Sequence, residues 1–426
     1  MLVEFSVANF RSIRERQTLS MARSKLKESD VLKGNSFSSS GLAGVELLRS
    51  CAVYGPNAAG KSNLLLALLK MASMVDKSAT EMRRGDELPV KSFRLDSASR
   101  NAPTEFEIVF ISQGVRYQYG FSATEERITE EWLIAFPKGR AQHWFARQWD
   151  EKEQQDQWQM GNSLQGQKQL WIESTRANAL FLSTAVQLNS QQLQPVYDWF
   201  NNTLRITSVS GWGPGFTALL CDKNEYKAKV IDFLKAADVG IDDVVVENKV
   251  FDSKDLPDEM PDEARSEVCK TLEGKEILSE LNTVHLDNEG KAVIFDFNDE
   301  SDGTRKLFSF AGPWLDTLEN GYVLIIDELH DNLHPKLVRF LVQLFHDDKT
   351  NPNNAQLVFT THETSILSSE MFRRDQIWFC EKDQTQATQL FSLTDFNYRT
   401  RENLEMAYLA GRFGALPYTR ELKRAQ

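Results

Sequence analysis

Short apolar runs, each closed by polar or glycine-rich residues, recur along this chain and predict its elements. Val3 to Phe10 alternates as a half-buried strand does, and Asn9-Phe10-Arg11-Ser12 reads as a turn into a second strand around Gln17–Met21. The polar, Ser-, Gly- and Lys-rich residues 23–46 predict a loop. Leu47 to Tyr54 is mostly apolar and suits a buried strand, and Asn63 to Lys70 is rich in strong helix formers, so 47–74 reads as strand, glycine loop and helix. Phe106–Phe110 and Val115–Phe121 predict a hairpin joined at Gln113-Gly114, and Ile128–Phe136 continues as strand. Trp144, Trp149 and Trp158 lie in a Gln-rich stretch expected to hold further strands and turns. From Asn178 to Ile206 the spacing of Leu180, Leu188, Val196, Trp199 and Leu204 predicts a helical region. A helix over Tyr226–Ala237, a strand at Val244–Val246 and a loop over 251–263 follow.

Two later runs carry more information. Tyr322-Val323-Leu324-Ile325-Ile326 ends in Asp327-Glu328, and Gln356-Leu357-Val358-Phe359-Thr360-Thr361 ends in His362. An unbroken apolar run fits a strand buried on both faces of a parallel sheet. The polar residues then lie at its carboxyl end, where open α/β sheets bind ligands. An apolar helix over Leu307–Leu318 is preceded by Glu300-Ser301-Asp302-Gly303-Thr304, where Ser301 can cap the helix and Gly303 permits close backbone approach. No a/d heptad persists before residue 300, and prolines 137, 195, 214, 257 and 261 interrupt the region, so a long coiled coil is not expected.

Gly55-Pro56-Asn57-Ala58-Ala59-Gly60-Lys61-Ser62 fits G-x-x-x-x-G-K-[ST] and sits between the expected strand and helix, the context this phosphate-binding loop requires. Its glycines let backbone N–H groups turn toward phosphate oxygens, and the helix N-terminus adds partial positive charge. Lys61 is expected to reach the β- and γ-phosphates of ATP and Ser62 to ligate Mg²⁺, with Asn63 counted in the same nucleotide site. Asp327 fits the aspartate that holds Mg²⁺ at the end of the Tyr322–Ile326 run, and Glu328 is placed to polarise the attacking water. His362 can hydrogen-bond the γ-phosphate, though a lone histidine there is more often structural. His330, His334 and His346 do not match H-E-x-x-H and read as loop residues.

The net charge of −12 argues against wholesale coating of nucleic acid. Residues 251–302 hold sixteen acidic and five basic side chains and read as a solvated surface insertion. Cys51, Cys221, Cys269 and Cys380 show no C-x-x-C pairing and are expected as reduced, mostly buried thiols. No run approaches the length needed to span a bilayer and no signal-peptide core is evident, so a cytoplasmic protein with no membrane partner is expected.

The order of P-loop, Ser301-Asp302-Gly303-Thr304, Ile325-Ile326-Asp327-Glu328 and Thr360-Thr361-His362, after the opening Val7-Ala8-Asn9-Phe10-Arg11-Ser12, resembles the ABC-type ATPase heads of the SMC, Rad50 and RecF group. More narrowly it is similar to compact prokaryotic AAA-family ATPases of phage-defence loci, the AbiLi/RloA-like group, related to OLD-family and PARIS heads. Glu402-Asn403-Leu404 and Gly411-Arg412-Phe413-Gly414-Ala415-Leu416-Pro417 carry that narrower likeness.

The resemblance implies an α/β fold: an ABC-type P-loop NTPase head with a mixed sheet, an N-terminal β subdomain and a large α+β insertion between the P-loop and residue 301. It divides the chain into an N-terminal ATPase lobe over 1–135, an α+β insertion over 136–295 and a C-terminal ATPase lobe over 296–426. It makes His362 a switch histidine and Ser301 and Gly303 a signature that closes on ATP bound by a second subunit. It places Asp331-Asn332-Leu333-His334 at the dimer-contacting loop. The implied function is a dimeric, Mg²⁺- and ATP-dependent switch that controls a separate effector, a nuclease or toxin, in abortive infection. A RecF-like DNA clamp and an inactive nucleotide-binding scaffold are the alternatives.

Overall fold

The computed structural model describes residues 1–42, 44–207, 212–256, 265, 269, 274, 276–398 and 402–417. Its strands are β1 (Leu2–Ala8), β2 (Gln17–Ser20), β3 (Ser36–Ser38), β4 (Glu46–Leu48), β5 (Ser50–Tyr54), β6 (Thr104–Ser112), β7 (Val115–Ala123), β8 (Ile128–Phe136) and β9 (Gln142–Asp150). They continue as β10 (Gln155–Met160), β11 (Leu204–Ile206), β12 (Asp243–Val250), β13 (Glu276–Leu286), β14 (Ala292–Asp296), β15 (Val323–Ile326), β16 (Gln356–Thr361), β17 (Ile377–Lys382) and β18 (Thr388–Ser392). The chain divides into two compact units: Met1–Gly211 with Leu318–Asp331 and Val338–Gln426, and Trp212–Thr317 with Asn332–Leu337. Strands β9 and β10 and the helical segments up to β11 pack within the first unit.

The first unit holds two large sheets. One is six-stranded in the order β11-β15-β16-β5-β17-β18. Its first five strands run parallel, and β18 closes the edge antiparallel to β17. Strands β5, β15 and β16 are buried along their whole lengths, which is why each carries an apolar run in the sequence, unbroken in β15. The helix Lys61–Lys77 leaves the carboxyl end of β5 and buries Leu64, Leu68, Met71 and Val75 at helical spacing.

The other sheet is seven-stranded and antiparallel, in the order β10-β9-β8-β7-β6-β1-β2. Aromatic pairs run through the core formed by this sheet and the helical segment after it. Phe110 stacks on Trp199 at 4.3 Å between ring centroids, and Phe106 meets Phe121 at 5.2 Å. Glu131 of β8 is wholly buried and receives the backbone N–H groups of Phe181 at 2.6 Å and Leu182 at 3.0 Å, with the Tyr119 hydroxyl at 3.0 Å. It therefore satisfies the first turn of the helix Phe181–Gln187, and burial raises its carboxyl pKa.

The second unit contains the helices Gly215–Cys221 and Asn224–Ala236 and the antiparallel sheet β12-β13-β14. It also holds most of the helix Asp302–Asn320, at nineteen residues the longest among the described residues.

Two expectations need correction. The region 178–206 is not one helical stretch: it breaks at Asn189 (φ 65°), resumes over Gln194–Asp198 through the π turn Trp199–Thr203, and ends as β11 beside β15. The edge of the parallel sheet captures Leu204–Ile206, overriding local helix preference. The polar stretch 23–46 is not only loop, since it forms the turn Asp30–Asn35 and the hairpin β3–β4. Of the loop expected over 251–263, residues 257–263 lie outside the described residues. The cysteines are free, with Cys51, Cys221 and Cys380 buried. No helix among the described residues is long and apolar enough to cross a membrane.

Candidate nucleotide site

The glycine loop Gly55–Gly60 connects β5 to the helix Lys61–Lys77 within the first unit. Its backbone takes positive φ at Gly55 (156°), Ala58 (64°) and Gly60 (113°). A Cβ on Gly60 would stand 2.1 Å from the Thr388 hydroxyl, and one on Gly55 would stand 2.2 Å from the Cys380 carbonyl oxygen. Both glycines are thus required by close packing against the sheet edge. The loop is braced from behind. Thr388 donates through its hydroxyl to the Ala59 carbonyl at 2.9 Å, Ser12 meets the Thr388 hydroxyl at 2.8 Å, and Asn63 donates to Ser12 Oγ at 2.7 Å.

Lys61 is 5 % exposed. Its ammonium donates to the carbonyls of Gly55 at 2.7 Å and Pro56 at 3.1 Å. Burial lowers its pKa, while the carboxylates of Glu328 and Asp327 act in the opposite sense. A buried cation held near two carboxylates and lying along the phosphate loop is suited to a polyanion.

Asp327 and Glu328 follow β15 directly. The Thr360 hydroxyl of β16 donates to Asp327 Oδ1 and accepts the Glu328 N–H at 2.8 Å, and the Thr360 carbonyl accepts the Leu329 N–H at 3.1 Å. One threonine thus orients both acids. Glu328 sits at φ 52°, an uncommon conformation for a non-glycine residue and one that clusters at functional sites. Asp327 Oδ2 is buried with no hydrogen-bond partner. A buried, unshared carboxylate oxygen that acts electrostatically on Lys61, the residue preceding the exposed hydroxyl of Ser62, is a donor of the kind a hard divalent cation such as Mg²⁺ takes. His362 is exposed at the end of β16, and its Nε2 lies 2.9 Å from Nε2 of His330.

A cleft of 760 Å³ opens over the outer face of the loop, with Gly55, Asn57, Ala58 and His362 among its lining residues. The residues expected at the P-loop, at the two acids and at the switch histidine therefore all belong to one unit. Ser301 and Gly303 belong to the other unit. Ser301 Oγ accepts the Thr304 N–H at 3.2 Å as a cap on the helix Asp302–Asn320, and a Cβ on Gly303 would lie 3.4 Å from the Asn332 carbonyl oxygen. Asp302 is tied to Arg305 by an ion pair.

Sequence reasoning missed Thr360, Ser12 and Thr388. The only available signals were the polar end of the Thr360-Thr361-His362 run and the Ser12 of the opening motif. His330, read as a loop residue, proves to be the neighbour of His362.

This site defines a P-loop nucleotide-binding α/β protein. Residues 51–368 match the family described as "AAA domain, putative AbiEii toxin, Type IV TA system", and the chain belongs to that family of ATPases. Two solved structures align over nearly all of the chain. The SMC head bound to the C-terminal winged-helix domain of ScpA is 14 % identical, covering 96 % of this chain and 99 % of its own at a TM-score of 0.43. The SMC head domain from Thermotoga maritima is 12 % identical, covering 92 % and 98 % at 0.39. No curated protein matches.

Proposed function

We propose that this protein hydrolyses Mg²⁺-ATP as a two-fold dimer and uses that cycle to control a separate effector, a nuclease or toxin, in antiphage defence. The observation that supports hydrolysis most directly is the shared Thr360 clamp on Asp327 and Glu328 beside the buried Lys61. Backbone N–H groups of Gly55–Ser62 bind the phosphates, and Lys61 exchanges its contacts to the loop carbonyls for β- and γ-phosphate oxygens. Mg²⁺, held by Ser62 and Asp327 Oδ2, would neutralise charge developing on the phosphates. Glu328 orients a water and accepts its proton as the oxygen attacks the γ-phosphorus; the bond to the bridging oxygen breaks, and ADP and phosphate leave. His362 donates to the γ-phosphate.

Ser301 and Gly303 of a second copy complete each site, which makes turnover depend on dimerisation. The family description supports the defence setting through its reference to toxin–antitoxin systems. The test is recovery of tagged Glu328→Gln from its host in Mg²⁺-ATP. A stoichiometric second protein, lost in Lys61→Ala, supports the effector switch. Nuclease-sensitive DNA without a second protein would replace it with a DNA clamp.

A further inference from the structure

The exposed segment Ser301–Gly303 projects from a residue that is firmly held. Glu300 stands directly before it, and its carboxylate Oε1 accepts from the Thr283 hydroxyl at 2.5 Å and from His285 Nε2 at 2.6 Å. Thr283 and His285 lie at alternate positions of β13 and therefore share one face of that strand. Thr283 is wholly buried, and the Glu300 side chain is 12 % exposed. Glu300 thus fastens the start of the helix Asp302–Asn320 to the three-stranded sheet. In the turn before it, Phe297 packs on Phe308 of the same helix at 5.0 Å between ring centroids.

The partners of His285 dictate its protons. Its Nδ1 lies 2.8 Å from the carbonyl oxygen of Gly240, a group that can only accept. An ionised Glu300 can only accept as well. Both ring nitrogens must then donate, so His285 holds both protons and meets Glu300 as imidazolium against carboxylate. Phe295 of β14 packs edge-on to the imidazole at 4.9 Å between centroids and fixes its plane.

We infer that His285 and Glu300 are positioning residues for the signature: their ion pair holds Ser301 and Gly303 in the attitude in which they meet ATP on a second copy. Neither residue touches the nucleotide. Ser301 has only a local cap, so its direction is set by the residue it follows, and that residue is set by β13. The three-stranded sheet and the signature then move as one piece. The inference rests on the reading of Ser301 and Gly303 as the half-site that closes on the partner's ATP.

The test takes Glu328→Gln as the parent in Mg²⁺-ATP and reads the protein concentration at which half of it is dimeric. His285→Phe removes both donors and is expected to weaken dimerisation about tenfold or more, the size of a lost hydrogen bond to a charged group, with ATP affinity of the monomer unchanged. Glu300→Ala is expected to cost as much, and the double variant no more than either alone, as for two residues that act as a pair. His285→Lys, whose ammonium can donate to both oxygens, is expected to restore most of the loss. Backbone hydrogen exchange over 300–304 in the nucleotide-free monomer should quicken in His285→Phe at an unchanged melting temperature. Glu300→Gln keeps the shape and loses only the charge, so it should weaken dimerisation even if His285→Phe folds poorly. Unchanged dimerisation in His285→Phe and Glu300→Gln, or losses that multiply in the double variant, would overturn the positioning role. A Glu328→Gln parent that binds ATP and never dimerises would overturn the half-site reading, and the inference with it.

Discussion

The nucleotide loop and the Ser301–Gly303 segment are both short, polar and glycine-bearing, yet the structure treats them differently. The loop is clamped: Thr388, Ser12 and Asn63 brace it, and Lys61 is buried beneath it. Around Ser301 the contacts are local and exposed, consisting of a cap on Thr304 and the Asp302–Arg305 ion pair. A pre-organised backbone is what phosphate binding and charge stabilisation demand. An exposed, locally capped segment suits a surface that acts when a partner arrives. The difference teaches that the first site should fail when a buried group is removed. The second should tolerate change in the monomer and fail on assembly.

The largest expected effect is that of Lys61→Ala, which should abolish measurable ATP binding by removing the only cation buried in the loop's own turn. Glu328→Gln should keep ATP bound and slow its hydrolysis by about 10²–10⁴-fold, as loss of a general base does; single-turnover assays separate the two steps. Thr360→Val should retain ATP binding and lower turnover, with a stability loss of about 1–3 kcal/mol in denaturant titration, because Asp327 Oδ1 and the Glu328 N–H lose their shared partner. Ser301→Arg should cost about 0.5–2 kcal/mol of stability through the lost helix cap and leave ATP binding by the monomer intact, while turnover falls. Intact turnover would remove Ser301 from the site.

Stability should also carry a histidine signature within the clamped unit. His346 is buried against Ser50 at 2.7 Å, and burial, helped by Arg49, holds its pKa down to about 3. The unfolded chain takes up this proton below about pH 6.5, so the neutral ring's contribution is complete above that pH and is lost as the pH falls toward 3. At pH 5 the cost is about 2 kcal/mol. His346→Gln should remove that acid limb in melts recorded from pH 7 to 5.

The parts of the fold legible in sequence were those whose signal is local. Strands β5, β15 and β16 announce themselves because burial on both faces favours apolar runs, and the P-loop because phosphate binding restricts consecutive positions. The roles of Thr360 and Thr388 were not legible, since each acts on residues 32 or 329 positions away through the sheet. Region 178–206 misled for a related reason: its apolar residues serve a core shared with β6 and β7, so their spacing reports several short elements rather than one helix.

The most direct measurement of the central claim is the mass of Glu328→Gln in solution by light scattering, with and without saturating Mg²⁺-ATP. The account predicts a monomer that becomes a dimer on adding ATP, with Lys61→Ala and Ser301→Arg remaining monomeric. A Glu328→Gln protein that binds ATP and stays a monomer would contradict it.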